Sequence, residues 1–234
     1  MGDRARVAIR RAAGYDAEAV RRAVGGVVEA FGGWSGLVRP GDRVLVKPNC
    51  IAGAPPERPV QTHPTVILEV CRQLLDHGAR PFVGDSPAWG TLEANLERLG
   101  ALPGLRRLGV PLVPFTRSRS CGVVHVGRRL QLRLDAAALE ADAIVNLPKF
   151  KAHAQLLLTV ALKNMFGCVN GRRKALLHVT CGDRRNDFGR MLVETFRRLR
   201  PAITIVDAVV AMDCLLYTSD AADDLLCVDL GGRR

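Results

Sequence analysis

Four short apolar runs limit how this chain can fold. They are Val44-Leu45-Val46, Pro81-Phe82-Val83, Ala143-Ile144-Val145 and Ile203-Thr204-Ile205-Val206. Continuous apolar runs of this length read as strands buried on both faces, as in parallel sheets covered by helices. Helical periodicity fills the stretches between them. Asp16 caps a helix reaching about residue 31. Thr62 precedes a helix with Pro64 in its first turn, ending at Gly78. Residues 90–99 and 155–166 read as helices, and a last helix runs from about Asn186 to Arg200, stopped by Pro201. A first strand is expected at residues 6–9. A hairpin or edge strand is expected at 127–134, where polarity alternates. The pattern predicts an α/β fold, a mainly parallel sheet with helices on both faces.

Each run ends in the same way. Val46 leads into Lys47-Pro48-Asn49, Val83 into Gly84-Asp85-Ser86-Pro87, Val145 into Asn146-Leu147-Pro148-Lys149, and Val206 into Asp207. Proline cannot continue a central strand, so these are strand ends. In open α/β sheets ligands bind outside the carboxyl ends of the strands. Lys47, Asn49, Asp85, Ser86, Lys149 and Asp207 are therefore expected on one rim.

The choice of cation points to the same places. Of 34 Lys and Arg residues only five are lysines: Lys47, Lys149, Lys151, Lys163 and Lys174. Arginine serves elsewhere, so these positions read as ones where a compact ammonium with a tunable pKa is needed. In an extended Lys149-Phe150-Lys151-Ala152-His153, the two lysines and His153 share one side, a face suited to phosphate or carboxylate. Lys163 and Asn164 are the polar exceptions in the apolar stretch 156–171. Lys163 reads equally well as a buried base or Schiff-base nucleophile and as a lysine that snorkels outward near a helix C-terminus. Lys174 and His178 add further ligand candidates, and Gly167 and Gly171 allow close backbone approach. His63, just before Pro64 at a helix start, reads as a capping-region residue in preference to a site residue. Cys50 and Cys168 read as small hydrophobes rather than activated thiolates.

Composition narrows the classes. With 234 residues and 48% hydrophobic content the chain can bury a core, which argues against disorder. No run of about 18 apolar residues could span a membrane. No apolar stretch follows the basic N-terminus as in a secretory leader, so the expected compartment is the cytoplasm. The formal charge of +11 is spread over scattered arginines, with no basic tail and few aromatics to stack bases, which argues against nucleic acid. Seven cysteines without a C-x-x-C pair exclude a ferredoxin-type cluster run or zinc ribbon in this chain. Neither a Walker loop nor a dinucleotide fingerprint is present.

Six motifs occur in order: Val-Lys-Pro-Asn at 46–49, Thr-His-Pro at 62–64, Gly-Asp-Ser-Pro at 84–87, Asn-Leu-Pro-Lys-Phe-Lys-Ala-His at 146–153, Leu-Thr-Val-Ala-Leu-Lys-Asn-Met-Phe-Gly at 158–167 and Val-Asp-Ala at 206–208. Over about residues 5–213 the series resembles the prokaryotic domain-of-unknown-function 362 family. The resemblance implies an α/β domain, often fused to or associated with 4Fe-4S ferredoxin modules, and so a ferredoxin-type partner in trans. It implies no reaction. Residues 1–213 are expected to form one α/β domain. From Cys214 the composition shifts, and the string resembles translated sequencing-adapter read-through. It is expected to be foreign, leaving the domain C-terminally truncated.

These readings converge on a Lys-rich site at the strand ends that binds an anionic small molecule. Lys47, Asn49, Ser86, Lys149, Lys151, His153, Asn164, Lys174 and His178 would bind it. Lys163, Asp85 and Asp207 would do chemistry, the two aspartates as acid/base groups or as ligands of a divalent metal. The alternative is a non-enzymatic accessory or binding protein tied to iron–sulfur, redox or cofactor maturation.

Overall fold

A computed structural model describes residues 6–51, 53–127, 129–153, 157–171, 173–174, 176–177, 181 and 186–212. Along the chain come α1 (Ala17–Glu29), β1 (Arg43–Pro48), α2 (Pro64–Asp76), β2 (Arg80–Asp85), α3 (Leu92–Arg98), α4 (Leu102–Arg107), β3 (Leu112–Pro114), β4 (Ser118–His125), β5 (Arg129–Asp135), α5 (Ala136–Leu139), β6 (Ala143–Leu147), β7 (Lys149–His153), β8 (Leu157–Thr159), α6 (Ala161–Met165), α7 (Asp187–Leu199), β9 (Ile203–Thr204) and β10 (Asp207–Met212).

Five strands make an all-parallel sheet in the order β3-β2-β1-β6-β9. Strand β1 stands in the middle. The chain builds outward from it through β2 and β3, then returns to place β6 on its other side. The β1–β6 junction is thus the point where strand order reverses, the place at which open α/β sheets offer a binding site. Both faces of the sheet are buried. Val44, Val46, Val83 and Val145 pack against α1, α2, α3 and α4. Leu45, Phe82 and Ile144, pointing the opposite way, pack under the β4–β5 hairpin, α6 and α7. Alternation within a continuous apolar run thus feeds two cores. Gly84 is required by this packing. A Cβ there would meet the Phe115 ring at 2.6 Å and Leu45 Cδ1 at 2.9 Å.

A second, three-stranded sheet, β10-β7-β8, grows from the end of the first. Pro148 separates β6 from β7, and β7 pairs parallel with β10, Lys149 opposite Asp207. The hairpin expected near 127–134 is present as β4 and β5.

Three expectations need correction. Residues 6–9 form no strand, and Val7 and Ile9 are exposed (81% and 83%). Alternation supplies a face but no partner ladder. The stretch 155–166 is not one helix, since Leu157–Thr159 pairs antiparallel with β7 and the helix begins only at Ala161. An apolar run is ambiguous between helix and strand by periodicity, and the neighbouring β7 decides it. The strand expected over 203–206 stops at Thr204, because Asp207 already belongs to the second sheet.

Candidate functional site

Lys47 leaves β1 beside Asn146 of β6, the two being partners in the ladder at the switch point. Its ammonium lies 2.9 Å from Asp85 Oδ2, at the end of β2, with side chains only 1% and 2% exposed. It also donates to the Pro48 carbonyl at 2.7 Å. Asp85 accepts from the Cys50 N–H at 3.2 Å and from the Ser86 N–H at 2.7 Å. A buried lysine–aspartate pair with every oxygen engaged ties the turn after β1 to the turn after β2. The backbone of the 3-10 turn Phe166–Cys168 lies directly over it. A Cβ on Gly167 would sit 2.5 Å from Asp85 Oδ1 and 2.6 Å from Lys47 Nζ. Close approach is thus what Gly167 supplies, toward the ion pair rather than toward a ligand.

An amide network continues from this pair. Asn164, on α6, donates to the Lys47 carbonyl (3.0 Å) and to Asn146 Oδ1 (2.7 Å), and accepts from Asn49 (3.1 Å). Asn49 in turn accepts from Lys151 Nζ at 2.9 Å. The Lys151 ammonium also donates to the Val60 carbonyl at 2.9 Å. Thr62 bridges strands, accepting from the Asn49 N–H and donating to the Leu147 carbonyl. The alternation of Lys149-Phe150-Lys151 is therefore inverted relative to a solvated strand: both lysines are inside, 1% and 3% exposed. Burial, reinforced by the charges of Lys163 and Lys149, lowers the Lys151 pKa to about 7.

Lys149 anchors a second ion pair, with Asp207 Oδ2 at 3.1 Å. Tyr15, just before α1, completes it. Its hydroxyl accepts from Lys149 Nζ at 2.6 Å and from the Val210 N–H at 3.2 Å, and donates to Asp207 Oδ1 at 2.8 Å. Burial and the Asp207 carboxylate raise the Tyr15 pKa, so the phenol stays protonated. Burial lowers the Lys149 pKa against the pull of Asp207. Asp207 Oδ2 also accepts from the His63 N–H at 2.9 Å. The His63 ring stacks on Tyr15 with centroids 3.6 Å apart and planes 11° from parallel. Tyr15, His63, Lys149, Gln61, Glu57 and Val210 line a cleft of about 270 Å³.

Lys174 reaches Ser86. Its ammonium donates to the Ser86 carbonyl, and the Ser86 hydroxyl accepts from the Gly171 N–H at 3.2 Å. Burial lowers the Lys174 pKa to about 8, with Asp85 opposing and Lys47 reinforcing the shift. Lys163 is half-buried, its ammonium 5.5 Å and 5.8 Å from the Phe166 and Phe188 ring centroids. It acts on Lys151 as a like charge. Lys149 and Lys163 act as like charges on Lys151, and Lys47, Lys151 and Lys174 all act on the Cys50 thiol, so the five lysines surround the turns after β1 and β2 and the start of β7. His153 closes β7. His178 lies outside the described residues, as does the stretch from Cys214. Cys50 and Cys168 are buried, and burial raises both thiol pKa values, that of Cys168 to about 12. Each of Asp85 and Asp207 already faces a lysine, and among the described residues no three His, Cys, Asp or Glu side chains are grouped for a metal.

Two contributors were not among the candidate ligands read from the sequence. Tyr15 belongs to no motif and reaches a residue 192 positions away. His63 read as a helix cap, which it is, but the same ring also lines the cleft.

The fold and the site define the class: a parallel α/β protein with helices on both faces and a buried lysine cluster at its switch point. Within that class the chain belongs to the family described as domain of unknown function (DUF362), whose model matches residues 44–225. It is 40% identical over 205 residues, 88% of its length, to the thylakoid-associated protein sll1697 of Synechocystis sp. (strain ATCC 27184 / PCC 6803 / Kazusa). The alignment spans 63% of that relative's length. Among the described residues no helix is long and apolar enough to cross a membrane.

Proposed function

We propose that this chain binds a small anionic molecule, a phosphate or a carboxylate, in the cleft lined by Tyr15, His63, Lys149 of β7 and Val210 of β10. One observation carries the reading: Lys149 lines an open cleft, and the other four lysines of the chain lie behind it around the turns after β1 and β2. Concentrating buried ammonium groups is unfavourable, since burial and like charge both oppose the charged form. An anion at the cleft would relieve both penalties, and a lysine, unlike an arginine, can exchange its proton as the anion arrives. The cleft, at about 270 Å³, is smaller than the ~300–1,000 Å³ typical of drug-sized ligands, so the ligand is compact. The Lys47–Asp85 pair and the asparagine network hold the rim in shape.

The test uses the full chain. Isothermal titration with inorganic phosphate and with acetate is combined with mass spectrometry of small molecules released on denaturing the purified protein. Binding of either anion, lost in Lys149→Met, supports the reading. A chain that binds neither and releases no anionic molecule overturns it.

A further inference from the structure

His63 sits at the N-cap of α2, and its Nδ1 accepts from the Thr65 N–H at 3.3 Å. A ring nitrogen that accepts a hydrogen bond carries no proton, so the imidazole must be neutral with its one proton on Nε2. The tautomer is thus set by the first turn of the helix. The ring is held flat against Tyr15 on one side, and its main-chain N–H is fixed by Asp207. Ring position and proton position are both defined before any ligand arrives, and the ring forms part of the cleft wall that Lys149 also lines.

We infer that His63 is a ligand-binding donor as well as a cap: its Nε2–H, together with the Lys149 ammonium, receives the oxygen atoms of a compact oxyanion in the Tyr15-lined cleft. The inference rests on the anion-binding reading above and assigns its recognition to particular groups. Burial keeps the His63 pKa below the usual histidine value, Lys149 adding to this while Asp207 and Glu57 oppose it, so the neutral ring persists at pH 7. A neutral donor beside one ammonium suits an anion of low charge. The Glu57 carboxylate in the same lining disfavours polyanions.

His63→Asn separates the two roles. Asparagine is among the best N-cap residues, so the helix start is kept while the donor reaching into the cleft is lost. The experiment pairs this variant with ¹⁵N NMR of the histidine rings in the full chain. The wild type should show Nδ1 bare and Nε2 protonated at pH 7, with phosphate or acetate shifting Nε2. The variant should unfold within about 4 °C of the wild type, the loss of ring stacking being the main cost. It should bind the same anion at least about tenfold more weakly, the effect of one lost hydrogen bond to a charged group. Unchanged affinity in the variant, or an Nδ1-protonated ring, overturns the assignment to His63 while leaving the anion site standing. A wild-type chain that binds neither anion overturns both.

Discussion

Gly167→Ala probes the most tightly constrained part of the rim. The added methyl would lie 2.5 Å from Asp85 Oδ1 and 2.6 Å from Lys47 Nζ. Ordinary contact begins near 3.4 Å, so these groups must yield by just under ~1 Å of overlap, an over-packing strain of about 1–3 kcal/mol. If the lysine retreats, its 2.9 Å contact with Asp85 opens to about 3.8 Å, and at an effective dielectric constant of about 20 the attraction falls from about 5.7 to about 4.4 kcal/mol. Together these predict a loss of about 3 kcal/mol, or roughly 6–12 °C in Tm for a domain of this size. Gly167 does not have positive φ, so the effect reports the over-packing onto the Lys47–Asp85 pair and the weakening of that pair rather than left-handed backbone strain. Gly189 in α7 is the control. Nothing lies within 4 Å of a Cβ there, and Gly189→Ala should leave stability unchanged or raise it by up to about 1 kcal/mol. Urea and thermal denaturation of the full chain measure both. A Gly167→Ala protein within about 0.5 kcal/mol of the wild type, where most surface substitutions fall, would refute the packing of this backbone onto the Lys47–Asp85 pair.

Other parts of the rim give further expectations. Tyr15→Phe removes a hydroxyl that bonds Lys149, Asp207 and the Val210 N–H, and should cost about 1.5–3 kcal/mol by urea unfolding because two of those partners are charged; a neutral variant would show that the pair is satisfied without it. Lys151 and Lys174 have folded pKa values of about 7 and about 8, below the unfolded value near ~10.4. Between these limits the unfolded chain binds more protons, so their contribution makes stability rise from pH 7 toward pH 10; Lys151→Met should flatten the urea-midpoint profile over that range, and an equally steep profile in the variant counts against the burial of this ammonium. Lys47→Met strands Asp85 in the core and should cost about 3–5 kcal/mol, much of it recovered when Asp85→Leu is added, a coupling that a double-mutant cycle reads directly.

Much of the framework was legible from local pattern. Apolar runs buried on both faces of a parallel sheet need no partner to be recognised, so the positions of β1, β2 and β6 were readable, and polar and proline residues marked their ends. The scarcity of lysine singled out Lys47, Lys149, Lys151, Lys163 and Lys174, which the structure does bring together. The parallel direction followed from the alternation of strands with helices, but the pairing order was not readable, because it depends on residues far apart in the chain. Leu157–Thr159 is equally apolar as helix or strand, and only the adjacent β7 makes it a strand. Alternation puts Lys149 and Lys151 on one side of a strand, but that this side is buried follows only from β10 and the asparagine network. Tyr15 reaches Asp207 across 192 positions, a contact that no local spacing encodes and that exists only once α1, α2 and β10 have been brought to the same end of the sheet.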